Sequence, residues 1–598
     1  MGVQVDAEEW PIIAGLIGLI RVVGKEEIAI NRNGIAISKE NLEDLASKMV
    51  YKLIETFNVV ERDVEKMRWY STNLVKNPDK LKLYATEVKK IIAEQLKKIE
   101  KYFGDTDECQ QVRDLVEKLK EINDTQSNLI LEDVIDQYKK IASTSFIKEK
   151  LTLNYVKSVI LSPFFGQTSI LQPVFSSRNT EEHIIQIDKD FVMPALIELE
   201  LHNLLKSEEN IDGVVKYLDQ TKDGYQPFRE WYREIKKMKD PVQLKQYLSK
   251  QVLKCSFIDS LLATQTYEEM MFSPLAFSNN NAVNFNWDFE KKQPIPMSAV
   301  ARLILFLSPL GMTFYNRKRG SQQSTENLRF AGLIMTEESF EDVLSYNNTY
   351  RMLRSKNSSF EEAIVGVLEE SVDKAERIYR AFQFLEVHSE SKKTLLDYYH
   401  MPMYLVHYLK KYGKSLRLIQ NREIRDEYLR TLLKGIDPKK AIFELLRESI
   451  SNSFYGEGAY IATRERLRVL NAKKGVKEMT KDDKLITAIY FHGVELREAL
   501  FQDKGSNEEG VYRASGRKKM EGIAYRLINA IKAGNKQAFM DTIFRLYIGA
   551  KDLRVPSFFV NAFKEDGLEF ETIGSAFVAG MLGQEISRKE KEGAVNNG

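Results

Sequence analysis

The stretch GRKKMEGIAYRLINAIKAGNKQAFMDTIFRLYIG, residues 516–549, decides how this chain is read. Met520, Ile523, Ala524, Leu527, Ile528 and Ile531 recur at the spacing that places side chains on one face of a helix. Gly534 suits the position just past a helix end, where a left-handed backbone is wanted, and Asn535 suits the cap of a following helix. The spacing therefore predicts two antiparallel helices joined by a short corner. The second buries Phe539, Ile543, Leu546 and Tyr547 and stops at Gly549. Pro556 fits the first turn of a third helix and Thr572 the start of a fourth, so residues 479–598 read as a helical bundle.

The charge of this region is uneven. Between Arg513 and Arg554 there are ten lysines or arginines and three acids, an excess of seven that the whole-chain net charge of +2 hides. The basic positions lie mostly off the apolar stripe, where a polyanion could rest against them. A lysine-rich helix surface that only keeps the bundle in solution is the competing reading.

Upstream, the chain is long enough, at 598 residues, for several cores. With 43% hydrophobic and 29% charged residues it is globular rather than disordered. The run from Ile12 to Ile20 ends at Arg21 and is too short to span a bilayer, so Pro11–Val23 reads as a buried core element, with no membrane partner. Asn33–Gly34, between Ile30 and Ile35, reads as a type I′ hairpin turn, with Ser38 capping a helix through Leu42, Leu45, Met49, Leu53 and Phe57. A charged helical segment follows to about residue 150, with Val88, Ile91, Ile92, Leu96 and Ile99 as one stripe. Leu161–Ile185 reads as loops and short strands, and Ser273–Pro296 as a second loop-rich zone before an apolar helix from Ala299. Asn316–Gly320 reads as a basic turn, and the chain after Glu337 as helical almost throughout, down to Leu470. The fold class is thus mainly α with a smaller β/loop-rich portion. An α+β region covers 1–350, with its charged helices at about 40–150; a helical region covers 351–470, and the C-terminal bundle covers 479–598.

Catalytic sets do not emerge. Only Cys109 and Cys255 are present, far apart, which excludes a disulfide framework and suits a reducing cytoplasm. The six histidines form no close metal pair, although His400 and His407 could share a helix face. Gly456-Glu-Gly458 lacks the third glycine of a dinucleotide loop. Asp79 with Glu87-Val-Lys89 superficially matches a metal-dependent nuclease, but that chemistry needs the Glu-x-Lys on a strand, and Leu81, Tyr84, Val88 and Ile91 keep helical spacing. The expectation is a non-enzyme with no cofactor and no metal. A nuclease using Asp79, Glu87 and Lys89, and a helical scaffold that binds only protein, stand as alternatives.

Three sets of residues carry a family likeness. They are Pro163-Phe-Phe-Gly-Gln-Thr-Ser169 with Glu181-Glu-His183; Phe272-Ser-Pro-Leu-Ala276 with Trp287-Asp288 and Pro294-Ile-Pro296; and Gly516–Lys519 through Gly522, Ala524–Leu527, Ala533-Gly-Asn535 and Phe539-Met-Asp541. Together they resemble the large subunit of type I CRISPR Cascade surveillance complexes, of the type I-B branch, in scattered blocks over most of the chain. Many relatives carry a pair of Cys-x-x-Cys motifs; this sequence has none, and so no zinc site. The resemblance implies a non-catalytic subunit at one end of the guide-RNA filament. Such a subunit meets the protospacer-adjacent motif on duplex DNA, helps open the duplex, stabilises the R-loop and recruits a helicase–nuclease. The implied partners are the CRISPR guide RNA, target duplex and displaced strand, the Cascade backbone subunits, and separate copies of the C-terminal bundle. Base pairing with the guide would read sequence, while the protein reads a short motif and backbone shape.

On that reading, motif recognition falls to loop side chains that reach base edges, each good pair contributing about 1–3 kcal/mol of discrimination. The candidates are Gln167, Asn279, Asn280, Asn281, Arg317, Lys318 and Arg319. Phosphate contact falls to Arg513, Arg517, Lys518, Lys519, Arg526, Lys532 and Lys536. Type I-B relatives also make a small subunit from within this gene. Codons for Lys474-Gly475-Val476 can spell a ribosome-binding sequence, which makes Met479 the candidate internal start.

Overall fold

The computed structural model describes residues 2–75, 77–122, 129–206, 211–238, 240–267, 286–288, 293–317, 328–337, 339–356, 358–370, 382–390, 393–476, 480–502, 516–550, 553–557, 559 and 568–583. Helices dominate them, with a few small sheets. The chain divides into two compact units, one of residues 1–333, 339–344 and 386–397, the other of 334–338, 345–385 and 398–598.

The first unit is organised on two apolar helices. α1 (Trp10–Val23) is buried without a break from Ile12 to Ile20, and α13 (Ala299–Gly311) is buried at every position except Arg302. A helix that is apolar all round belongs in an interior. The two touch backbone to backbone because glycines leave room. A Cβ on Gly15 would lie 2.2 Å from the Ile304 carbonyl oxygen, one on Gly18 2.2 Å from that of Leu307, and one on Gly311 1.8 Å from that of Ala14. Arg21 closes the seam by donating to the Leu310 carbonyl at 2.8 Å, where cationic charge suits a helix C-terminus.

Beside this pair, β1 (Val3–Asp6), β2 (Ala29–Ile30) and β3 (Gly34–Ile37) form an antiparallel sheet in the order β1-β3-β2. The hairpin is present, but not with a type I′ turn: neither Asn33 nor Gly34 has positive φ. Instead the Asn31 side chain accepts from the Asn33 and Gly34 amides and holds the loop. Nor does Ser38 cap the next helix. α2 (Leu45–Thr56) starts after Asp44, and Asn41 ties the intervening turn by accepting from the Ser38 amide. α3 (Val59–Leu74), α4 (Leu81–Phe103), α5 (Asp107–Lys120), α6 (Leu129–Ala142) and α7 (Ser145–Tyr155) share one core that includes the predicted stripe from Val88 to Ile99. Residues 161–185 hold no strand. They form turns and then α8 (Thr180–Ile187), started by a reciprocal capping box between Asn179 and Glu182. α9 (Met193–Lys206), α10 (Ile211–Thr221), α11 (Pro227–Ile235) and α12 (Pro241–Lys250) enclose a second core around Leu218 and Phe228. The short pairs β4 (Gln265–Thr266) with β7 (Pro296–Met297), and β5 (Asn286–Asp288) with β6 (Gln293–Pro294), precede α13.

The chain from Glu337 to Leu470 is not helical throughout. β8 (Thr313–Arg317), β9 (Leu328–Thr336), β10 (Phe382–Glu390) and β11 (Lys393–Met401) form a sheet in the order β11-β10-β9-β8. α14 (Phe340–Ser355) and α15 (Phe360–Glu370) fall between β9 and β10.

In the second unit α16 (Met403–Tyr412), α17 (Arg422–Leu433), α18 (Lys439–Ser451) and α19 (Phe454–Lys473) lead into α20 (Thr480–Gln502), α21 (Gly516–Lys532), α22 (Lys536–Gly549) and α23 (Phe570–Leu582). α20 and α23 repeat the glycine contact: a Cβ on Gly493 would lie 2.2 Å from the Phe577 carbonyl oxygen, and one on Gly580 2.0 Å from that of Tyr490. α19 brings charge into this core. Arg466 forks onto Asp437 at 2.6 Å and also reaches Glu569 and Thr572 on the α23 side. Arg468 does the same to Asp483 and Glu465, and Glu465 accepts from the Tyr408 hydroxyl at 2.9 Å. The C-terminal helices thus share their interior with α18 and α19. Met479 lies outside the described residues.

Candidate nucleic-acid interface

α21 and α22 follow the sequence pattern closely. Gly534 takes φ +65° and the Asn535 side chain accepts from the Ala538 amide at 2.9 Å, making the predicted corner. Ala524, Leu527, Ile528, Ile531, Phe539, Ile543, Leu546 and Tyr547 are buried. Phe539 meets Phe570 of α23 edge-on at 5.3 Å, and Gly574 leaves space for Ile531.

With the inner face so filled, the cations point out. Arg526, Lys532 and Lys536 are exposed, as are Arg545 and Arg554, and Asp541 is the one acid among the described side chains of the hairpin. Among the described residues, Arg526, Lys532 and Arg545 have no ion-pair partner. Arg517, Lys518 and Lys519 fall in the first turn of α21, which has no acid. Cations oppose the dipole at a helix N-terminus, so their placement is not explained by helix stability. Arg513 lies outside the described residues.

The hairpin also exposes apolar side chains that charge counting overlooks: Tyr525 at 54%, Phe544 at 46% and Ile548 at 86%. A signal for them existed, since all three sit off the buried stripe. Aromatic rings among unpaired cations are the composition that holds single strands, the rings stacking bases while the cations meet phosphates.

The motif-reading candidates fare differently. Gln167 is exposed, in a turn between Phe165 and Ser169, the latter at φ 51°. The chain just beyond is held from beneath. Lys157 Nζ donates to the Phe175 carbonyl at 2.7 Å, Lys150 Nζ to that of Arg178 at 2.6 Å, and Lys157 also lies 3.2 Å from His183 Nε2. Burial, aided by the neighbouring Lys150, pushes the Lys157 amine down to about 8, and burial pushes His183 down to about 4. Arg317 is not in a turn. It ends β8, donates to Glu386 at 2.8 Å and lies 5.0 Å over the Phe330 ring, while the Tyr315 hydroxyl bonds the same carboxylate. With Glu386 fully buried, Arg317 is committed to that pair and poorly placed to read a base. Asn279, Asn280, Asn281, Lys318 and Arg319 lie outside the described residues.

No protein-family model matches this chain, and no curated protein matches it.

The other chemical candidates separate. Glu87 and Lys89 are on α4, with Glu87 paired to Lys90 at 2.6 Å, and Asp79 is in the turn before it, so the strand-borne nuclease pattern is not formed. His400 is on β11 and His407 on α16, not on one helix. Cys109 and Cys255 are both buried. Among the described residues no group of three His, Cys, Asp or Glu side chains could hold a metal ion, and no helix is long and apolar enough to cross a membrane.

Proposed function

We propose that this chain binds nucleic acid without catalysing a reaction, as the large subunit of a CRISPR RNA-guided Cascade complex of the type I-B kind. The observation that carries the reading is the α21–α22 hairpin, which directs Arg526, Lys532, Lys536 and Arg545 outward with Tyr525 and Phe544 among them. In this role the hairpin holds the displaced single strand by its phosphates and bases. Gln167 belongs to the motif-reading side of the chain, and guide RNA, backbone subunits and a helicase–nuclease complete the assembly.

The test is ionic strength. Replacing Arg526, Lys532 and Arg545 together with Ala lowers affinity for oligo-dT and for duplexes of any sequence. It also flattens the log–log salt slope by about 0.7 per lost single-strand phosphate contact and about 0.9 per duplex contact. An unchanged slope in a folded variant overturns the nucleic-acid role and leaves a scaffold that binds protein. Native purification tests the assembly: co-purifying guide RNA and companion subunits support it, and their absence removes the Cascade assignment.

A further inference from the structure

A surface loop ordinarily gives its backbone carbonyls to water. In the loop of residues 166–179, four of them turn inward and are met by side chains. Lys157 Nζ donates to the Phe175 carbonyl at 2.7 Å, Asn154 Nδ2 to that of Ser176 at 3.5 Å, and Lys150 Nζ to that of Arg178 at 2.6 Å. His183 Nδ1 lies 2.6 Å from the Asn179 carbonyl, which can only accept, so that nitrogen carries the ring proton. Nε2 is then an acceptor, and it faces Lys157 Nζ at 3.2 Å.

The supports come from two helices. Lys150, Asn154 and Lys157 follow at i, i+4 and i+7, on one face of α7 and of the π-helical turn that continues it to Leu161. His183 is on α8, where its ring meets that of Phe175 edge-on at 5.5 Å. The end of the loop is tied too, by Thr180 donating to Glu149 and Arg178 to Glu182, both at 2.6 Å. Lys150, Lys157 and His183 are all buried. A buried ammonium group is costly unless its hydrogen bonds are made, and charge-assisted bonds are about twice as strong as neutral ones. The two lysines therefore hold the loop to one shape. Ser169, buried at φ 51°, shows how firmly, because a left-handed serine persists only where its surroundings over-determine it.

We propose that this loop is preformed to read base edges on duplex DNA, with Gln167 and Gln172 as the reading side chains and Lys150, Lys157 and His183 as positioning residues beneath them. The inference rests on the duplex-binding role proposed above and adds to it a second reader and the means of holding both. Gln167 and Gln172 are exposed on either side of the turn that contains Ser169. The side-chain amide of glutamine bonds adenine at N6 and N7 together, so the base expected is adenine. Fixing the loop in advance removes the ordering cost that a free loop meets on binding.

The experiment selects the preferred sequence for the full chain from a random duplex library, then compares that duplex with a scrambled one. Gln167→Ala and Gln172→Ala are each expected to lower the preference about tenfold at an adenine of the selected sequence, with scrambled-duplex affinity unchanged. Lys157→Met is expected to lower the preference about fivefold or more and to speed hydrogen exchange across residues 166–179, while Lys157→Arg retains most of both. A preference unchanged in Gln172→Ala overturns the reading role. One unchanged in Lys157→Met, although exchange has risen, overturns the positioning role. Should Lys157→Met not fold, Lys150→Met and the exposed Gln172 decide. If no sequence is preferred but scrambled duplex still binds with a salt slope set by Arg526, Lys532 and Arg545, only the loop proposal has failed. If no nucleic acid binds at all, the Cascade reading falls and the loop proposal with it.

Discussion

The two units solve one packing problem in two ways. In α1 with α13, and again in α20 with α23, glycines let helix backbones approach until an added methyl would overlap a carbonyl oxygen. Around α1 and α13 the contact is apolar except at its end, where Arg21 donates to the Leu310 carbonyl, so shape sets most of the register. Around α20 and α23, α19 adds Arg466 and Arg468, each forked onto carboxylates, with Glu465 fully buried between Tyr408 and the arginines. Buried ion networks contribute little net stability once desolvation is counted, but they penalise misplacement heavily. The comparison teaches that the second unit fixes its helices by charge as well as shape.

If shape governs both seams, Gly311→Ala and Gly580→Ala should each destabilise their unit by about 3 kcal/mol or more, because the obstruction is backbone on both sides. Denaturant unfolding of the purified chain would show it, and a loss below about 1 kcal/mol would mean that the helices slide apart freely. If charge matters only in the second unit, Arg466→Met should cost about 2–3 kcal/mol. That is less than a fully buried pair would lose, since Asp437 and Glu569 are partly exposed. An unaffected melting curve would reduce the network to decoration.

Each unit also holds a buried glutamate, and pH separates them. Burial raises Glu198 from 4.5 to about 7 against four opposing hydrogen bonds, and raises Glu361 to about 7 against Arg425. A raised carboxylate favours folding while protonated, so its contribution is complete below pH 4.5 and is lost as pH climbs through 7. Glu198→Gln should therefore gain on the order of 1–3 kcal/mol over the parent at pH 8 and nothing at pH 4. Glu361→Gln should gain less, because it leaves Arg425 without the carboxylate 3.3 Å away. Equal pH profiles for the two variants would contradict the distinction. The smallest effect belongs to a glycine with open space around it: Gly522→Ala, inside α21, should stabilise by about 0.5–1 kcal/mol.

What the sequence disclosed was local. The corner at Gly534–Asn535 was legible because a positive φ and a side-chain cap are chemistry of adjacent residues. α1 and α13 were legible as buried because nothing polar interrupts them. Long-range partners left no mark. Arg317 looked like a loop cation because Glu386, which claims it, is 69 residues away. β10 was hidden for a related reason: Phe384, Leu385, Glu386 and Val387 are all buried, so the strand shows no alternation. Gly493 and Gly580 carried only the faint signal of a residue that weakens helices without evident return.

The α1–α13 seam has a consequence for biosynthesis. Arg21 and the carbonyl it caps are 289 residues apart. At about 5–20 residues per second, a ribosome needs roughly 15–60 s between releasing one helix and the other. For that interval the sticky flank of α1 is without its mate in the nascent chain, which makes this helix the natural client segment for a holding chaperone.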